Sequence, residues 1–130
     1  MSQENVELVR GAFAAFENGD LDRVRDLVNE DVTVYRADPD GATAHGLAGF
    51  LELTAEWTEG FEDWTTVPEA FTDAGDWVLV RVRQSARGGV SGVPLAEDWW
   101  FAFQIRGTRI ARMSIYAREA EALEAVGLSE

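Results

Sequence analysis

Residues 95–106 alternate between the two faces of a strand, and each face carries a tryptophan. Trp99, Phe101, Phe103 and Ile105 share one side, and Asp98, Trp100, Ala102 and Gln104 share the other. Residues 77–87 behave alike, with Val78, Val80 and Val82 on one face and Trp77, Leu79, Arg81 and Arg83 on the other. Two long alternating runs joined by the loop from Gly88 to Gly92 make a sheet, and its valine face is the better core face. Trp99 and Trp100 point opposite ways, so one indole enters the core and one leaves the sheet. An outward indole is costly for a monomer, which predicts a homodimer through the sheet's outer face.

The chain ahead of these strands is helical. Val6, Val9, Phe13 and Phe16 recur at helical spacing, and Asn18-Gly19-Asp20 stops that helix. Leu21, Val24, Leu27 and Val28 form the stripe of a second, short helix that Asp20 can cap. Residues 32–36 read as a strand, and Asp38-Pro39-Asp40-Gly41 as a turn. A third helix is expected over 47–59, with Leu47, Phe50, Leu51, Thr54 and Trp57 on one side. Further strands are expected over 64–72 and 109–117, with Pro68 marking an edge or a bulge, and a last helix over 119–126. Helices followed by antiparallel strands indicate an α+β fold of one domain, residues 1–130: a cone-shaped, mostly antiparallel curved sheet packed against three N-terminal helices.

Composition removes several function classes. The 11 Lys and Arg against 24 Asp and Glu give a formal net charge of −13, which repels nucleic-acid phosphates and anionic membranes. Cysteine is absent and histidine occurs once, which leaves no basis for a thiolate or multi-histidine metal site. No cofactor motif of the glycine-rich kind occurs. The polar, acidic start and the lack of any long apolar run lead to the expectation of a soluble cytoplasmic protein.

The element order resembles the nuclear transport factor 2-like superfamily and, within it, the SnoaL-like proteins. The residues that carry the resemblance are spread along the chain. They are Asn5 to Arg10 running into Phe13 to Asp22, then His45-Gly46-Leu47-Ala48-Gly49-Phe50-Leu51, then Phe71 to Asp76, and finally Tyr116 with Glu121 to Leu128. The resemblance implies a cone closed at one end and open at the other. It extends to the ketosteroid isomerases, whose site has an aspartate base, an oxyanion tyrosine and a protonated aspartic acid. Carried over residue by residue, Ala12 falls at the tyrosine, Arg36 at the base in an ungapped match, and Asp38 at the base if two residues are inserted. Asp98 falls near the protonated acid.

The candidate catalytic residues are therefore Asp98, His45 and Asp38. His45, the single histidine, precedes the third helix at the expected rim, where it would be a general acid or base; the alternative is an exposed loop histidine. Asp38 is either a base at the mouth or a turn aspartate. Aromatic walls would raise the pKa of an inward carboxyl at Asp98, whereas a slip of one residue puts Trp99 inward and Asp98 in water. Tyr35, Phe50, Trp57, Trp99, Phe101, Phe103 and Tyr116 are the expected ligand-binding residues, around a small apolar or amphipathic molecule. The expected function is small-molecule binding in a hydrophobic pocket, open to cofactor-free acid–base chemistry of the isomerase, cyclase or dehydratase type. The alternative is a non-catalytic dimeric interaction or binding module.

Overall fold

The computed structural model describes residues 2–37, 41–88 and 94–128. Its elements run α1 (Ser2–Glu17), α2 (Leu21–Leu27), β1 (Val28–Arg36), β2 (Thr43–His45), α3 (Gly46–Thr58), β3 (Phe61–Ala74), β4 (Trp77–Gly88), β5 (Pro94–Arg106), β6 (Arg109–Tyr116) and α4 (Glu119–Ala125). The fold is α+β, with a curved sheet that does not close on itself.

The turn between α1 and α2 forms as its residues require. Gly19 takes a φ of 69°, and the Asp20 amide reaches back to the Ala15 carbonyl at 2.9 Å, which closes the end of α1. The Asp20 carboxylate accepts from the Arg23 amide at 3.1 Å and caps α2. Val28 does not continue α2. Its φ of −117° and ψ of 132° are extended, so β1 starts at Val28 rather than at residue 32. The β-branched side chain favours that switch.

Six strands form one sheet in the order β2-β1-β6-β5-β4-β3. β1 and β6 run parallel; the other neighbours are antiparallel. β3 is an edge strand, which leaves room for Pro68, and its register with β4 shifts between Pro68 and Ala70. β2, with three residues, is the element absent from the sequence-based order; it pairs with β1 ahead of α3.

Each face of the sheet has its own cover. Val9 of α1 and Leu53 of α3 pack with Val32, Val34, Val78, Val80, Val82, Phe101, Phe103, Ile105, Ile110, Met113 and Ile115 in the main core. On the other face α4 brings Ala122 and Val126 against Leu79 and Ala102, with Trp77, Trp100 and Tyr116 beside them. The outward Trp100 expected from the alternation is thus packed by this chain's own last helix.

Candidate functional site

A cavity of about 440 Å³ lies between the concave face of the sheet and the helices. That size lies within the ~300–1,000 Å³ range of small-molecule sites. Helical spacing aims α1 into it: Ala12, Phe13 and Phe16 fall on one side of that helix and all line the space. Phe50 and Thr54 of α3, one turn apart, form a second wall. The Thr54 hydroxyl donates back to the Phe50 carbonyl at 2.9 Å, which turns its oxygen away from full engagement with the cavity. Val32, Val34, Phe101, Phe103 and Met113 form the sheet side.

Aromatic contacts organise the floor. The Phe13 ring stacks on Phe101 with centroids 6.2 Å apart and an interplanar angle of 12°. It meets Phe103 edge-on at 5.6 Å and Phe71 edge-on at 6.3 Å. Phe16 tilts against Phe50 at 5.5 Å, and Phe16 remains 39% exposed. Phe16, Glu17, Thr65 and Val67 are exposed lining residues, so the cavity opens between the end of α1 and the start of β3.

One polar side chain is buried in this apolar wall. Gln84 continues the inward series Val78, Val80, Val82 on β4, is 5% exposed and lines the cavity. Its Oε1 is buried and has no hydrogen-bond partner among the described residues. Gln84 pairs with Thr66 of β3 on one side and Glu97 of β5 on the other. The Trp64 indole donates to the Thr66 hydroxyl at 3.3 Å, and the Trp99 indole donates to Glu97 Oε2 at 3.2 Å. Glu17 is the carboxylate that lines the opening.

The structure sorts the residues expected from sequence. Phe50, Phe101 and Phe103 line the cavity. Trp99 is on the same face and packs against the core beside Val82, outside the lining. Tyr116 packs with the cluster under α4, and Tyr35 lies on the face of β1 opposite Val34, so neither faces the cavity. The expectation of an inward Asp98 is corrected. Asp98 is opposite Arg83 in the β4–β5 register, and its carboxylate accepts from the Arg83 guanidinium at 3.1 Å on the outer face. The register puts Val82 opposite Trp99 and Val80 opposite Phe101, and those inward pairs force Asp98 out. His45 is exposed, on the side of β2 away from Ala44, which packs against the core. It belongs to a strand, and the alternation of that strand turns it from the cavity. Asp38 and the side chain of Trp57 lie outside the described residues.

Gln84, Phe13, Phe16, Met113 and Glu17 were not singled out from sequence. The signal for Gln84 was available, since it is a polar residue in phase with three core valines. Among the described residues no group of three or more His, Asp or Glu side chains is placed to hold a metal ion. No described helix is long and apolar enough to cross a membrane. The arrangement suits an apolar or aromatic guest held by shape, with one amide to orient it.

Comparison with known proteins places this geometry. A family model for the SnoaL-like domain matches residues 9–113. No curated protein matches the chain. Among solved structures, a nuclear transport factor 2-like protein from Burkholderia xenovorans LB400 is 26% identical, with a TM-score of 0.74, over 97% of this chain and 98% of that one. A candidate polyketide cyclase from Sinorhizobium meliloti is also 26% identical, with a TM-score of 0.67, over 88% of this chain and 98% of the other. A protein of ketosteroid isomerase-like fold from Catenulispora acidiphila DSM 44928, crystallised with trimethylamine, is 21% identical, with a TM-score of 0.72 over 94% and 93% of the two chains.

Proposed function

Because the chain belongs to the family of SnoaL-like domains, we propose that it is a cytoplasmic small-molecule-binding protein whose ligand occupies the cavity between α1, α3 and the sheet. One observation carries this reading: an aromatic-walled space of about 440 Å³ opens to solvent beside Phe16. A filled core would gain more from packing than from an opening of this size, since empty apolar volume weakens a fold. The crystallisation of a structural neighbour with a small molecule is in keeping with it.

A catalytic form of the same reading is cofactor-free proton transfer of the isomerase, cyclase or dehydratase type. Because His45 is turned from the cavity, this form would rest on Asp38. The outward Asp98 favours binding over this chemistry, because the strongest carboxylate candidate is spent on Arg83. The protein also self-associates, in this reading, through the outer face of the sheet beyond α4. Arg81 and Arg83 stay about half exposed there, and like charges can sit on the rim of such an interface. Sedimentation at micromolar concentration tests this; a monomer near 14.4 kDa contradicts it.

Thermal melting with a panel of one- to three-ring aromatic molecules tests the binding role. A saturable rise in melting temperature is expected for the wild type, because a ligand that binds only the folded state stabilises it. The variant Ala12→Phe, which fills the cavity from α1, is expected to fold and to lose the rise. A rise that survives Ala12→Phe would place binding elsewhere.

A further inference from the structure

Resting on the binding role proposed above, we infer that Phe61 and Trp64 carry the binding surface out past the mouth of the cavity, and that the ligand is an elongated apolar molecule whose outer part lies on Phe61. The first ground is a bulge in β3. Phe61 pairs with Gly88 and Glu62 with Arg87, and pairing resumes at Thr65 with Ser85. Asp63 and Trp64 therefore share the place opposite Ala86, one residue more than a regular ladder holds. Asp63 takes a φ of 55°, and among the described residues it is the one residue other than glycine with a positive φ. This bulge decides which side chain faces the cavity side. Thr66 pairs with Gln84, in the inward row of Val78, Val80 and Val82. Plain alternation back from Thr66 would put Glu62 on that side and Phe61 on the outer one. The extra residue reverses this: Gly88 continues the inward row, so Phe61 faces inward, and Glu62 turns outward with Arg87. The Phe61 and Trp64 rings accordingly meet at 5.4 Å. Bulges that re-aim a side chain, and the backbone strain they hold, are found beside binding sites.

The second ground is what that exchange leaves uncovered. Trp64 lines the cavity, and its indole donates to the Thr66 hydroxyl. Phe61 lies beyond the lining and remains 38% exposed. Phe16 and Val67, the large exposed apolar residues of the lining, stand at the same opening. Apolar surface thus continues from the cavity to the outside, and a carboxylate has been turned away from its path. A guest with an apolar extension would bury this surface, and the gain grows with the area covered.

The test uses a series of 6-alkyl-2-naphthols, from 2-naphthol itself to the hexyl compound. Dissociation constants are measured for the wild type, for Phe61→Thr, which suits a strand, and for Phe61→Leu, which keeps an apolar side chain. The wild type is expected to bind the hexyl compound more tightly than 2-naphthol. Phe61→Thr is expected to bind 2-naphthol as the wild type does and the hexyl compound about tenfold less tightly, the effect of losing a partly buried aromatic contact. Phe61→Leu is expected to keep most of the gain with chain length. No gain with length in the wild type, or a change in Phe61→Thr that is equal for the two compounds or absent for both, would overturn the assignment while leaving the cavity as a binding site. The bulge would then serve only to guard the edge of the sheet. A loss in Phe61→Leu as large as in Phe61→Thr would also overturn it, because apolar contact is the claim. Failure of every compound to bind the wild type would overturn the binding role and the assignment with it. Phe61→Ser replaces Phe61→Thr if the latter does not fold.

Discussion

Gln84 and Glu97 face each other across the β4–β5 pairing, on the side of the sheet that carries Phe101 and Phe103. One residue further along, Arg83 and Asp98 face each other on the opposite side and form an ion pair. Gln84 at the cavity wall and a charged pair on the outer face thus alternate along the same two strands. This alternation decides which groups can meet a ligand.

Asp98→Asn is expected to change little. The ion pair is half open to solvent, with side-chain exposures of 47% and 35%. Exposed pairs contribute less than about 1 kcal/mol. Chemical denaturation should show a loss below that level, and the affinity for 2-naphthol should stay at the wild-type value. A large drop in affinity would return Asp98 to the site.

Phe13→Ala should be far more damaging. Phe13 stacks on Phe101 and meets Phe71 and Phe103 edge-on, so its removal joins the cavity to a hole in the floor. A fully buried Phe→Ala change costs about 3–5 kcal/mol. Because one side of Phe13 borders the cavity, the expected loss is about 2–3 kcal/mol, scaled down from that range and read by urea unfolding. A loss under about 1 kcal/mol would mean that the ring does not organise the floor.

Leu79→Ala tests the outer layer. Leu79 is 4% exposed because α4 lies over it with Ala122 and Val126. The expected cost is about 2–3 kcal/mol, as for other well-buried leucines. Arg81→Ala on the same face should cost less than about 1 kcal/mol. Equal and small effects at the two positions would contradict the packing of α4.

Gly46 opens α3 with a φ of 74°, and a Cβ there would approach the Glu30 carbonyl oxygen to 3.4 Å. Gly46→Ala should therefore destabilise by about 1–2 kcal/mol, the cost of a left-handed conformation for a residue with a Cβ. Circular dichroism during thermal melting checks it; an unchanged melting temperature would contradict the strained geometry.

Long-period patterns were the legible part of this chain. The valines of β4 and the aromatics of β5 repeat often enough to define faces, and the valine face of β4 is the core face, as its alternation indicates. The family resemblance likewise carried the fold. What the pattern could not supply was short or relational. β2 has three residues, too few for an alternation to be read, and it took His45 away from the cavity. The side on which Asp98 emerges was open because the ketosteroid isomerase resemblance and the apolar alternation disagreed by one residue. Packing of Trp99, Phe101 and Phe103 against α1 and the main core settles it. The role of α4 as cover for Trp100 is a tertiary contact that no local signal announces. Gln84 was overlooked because valines dominate its face, although a polar residue in that phase is itself a site signal.

Methyl-resolved nuclear magnetic resonance of the wild type, titrated with 2-naphthol, addresses the binding cavity most directly. Saturable shifts are expected at the methyl groups of Val24, Val34, Ile110 and Met113, which line the cavity, while Leu79 and Val126 under α4 stay still. Shifts at Leu79 and Val126 with none at Val34 and Met113, or no saturable shift at all, would contradict a ligand site between α1, α3 and the sheet.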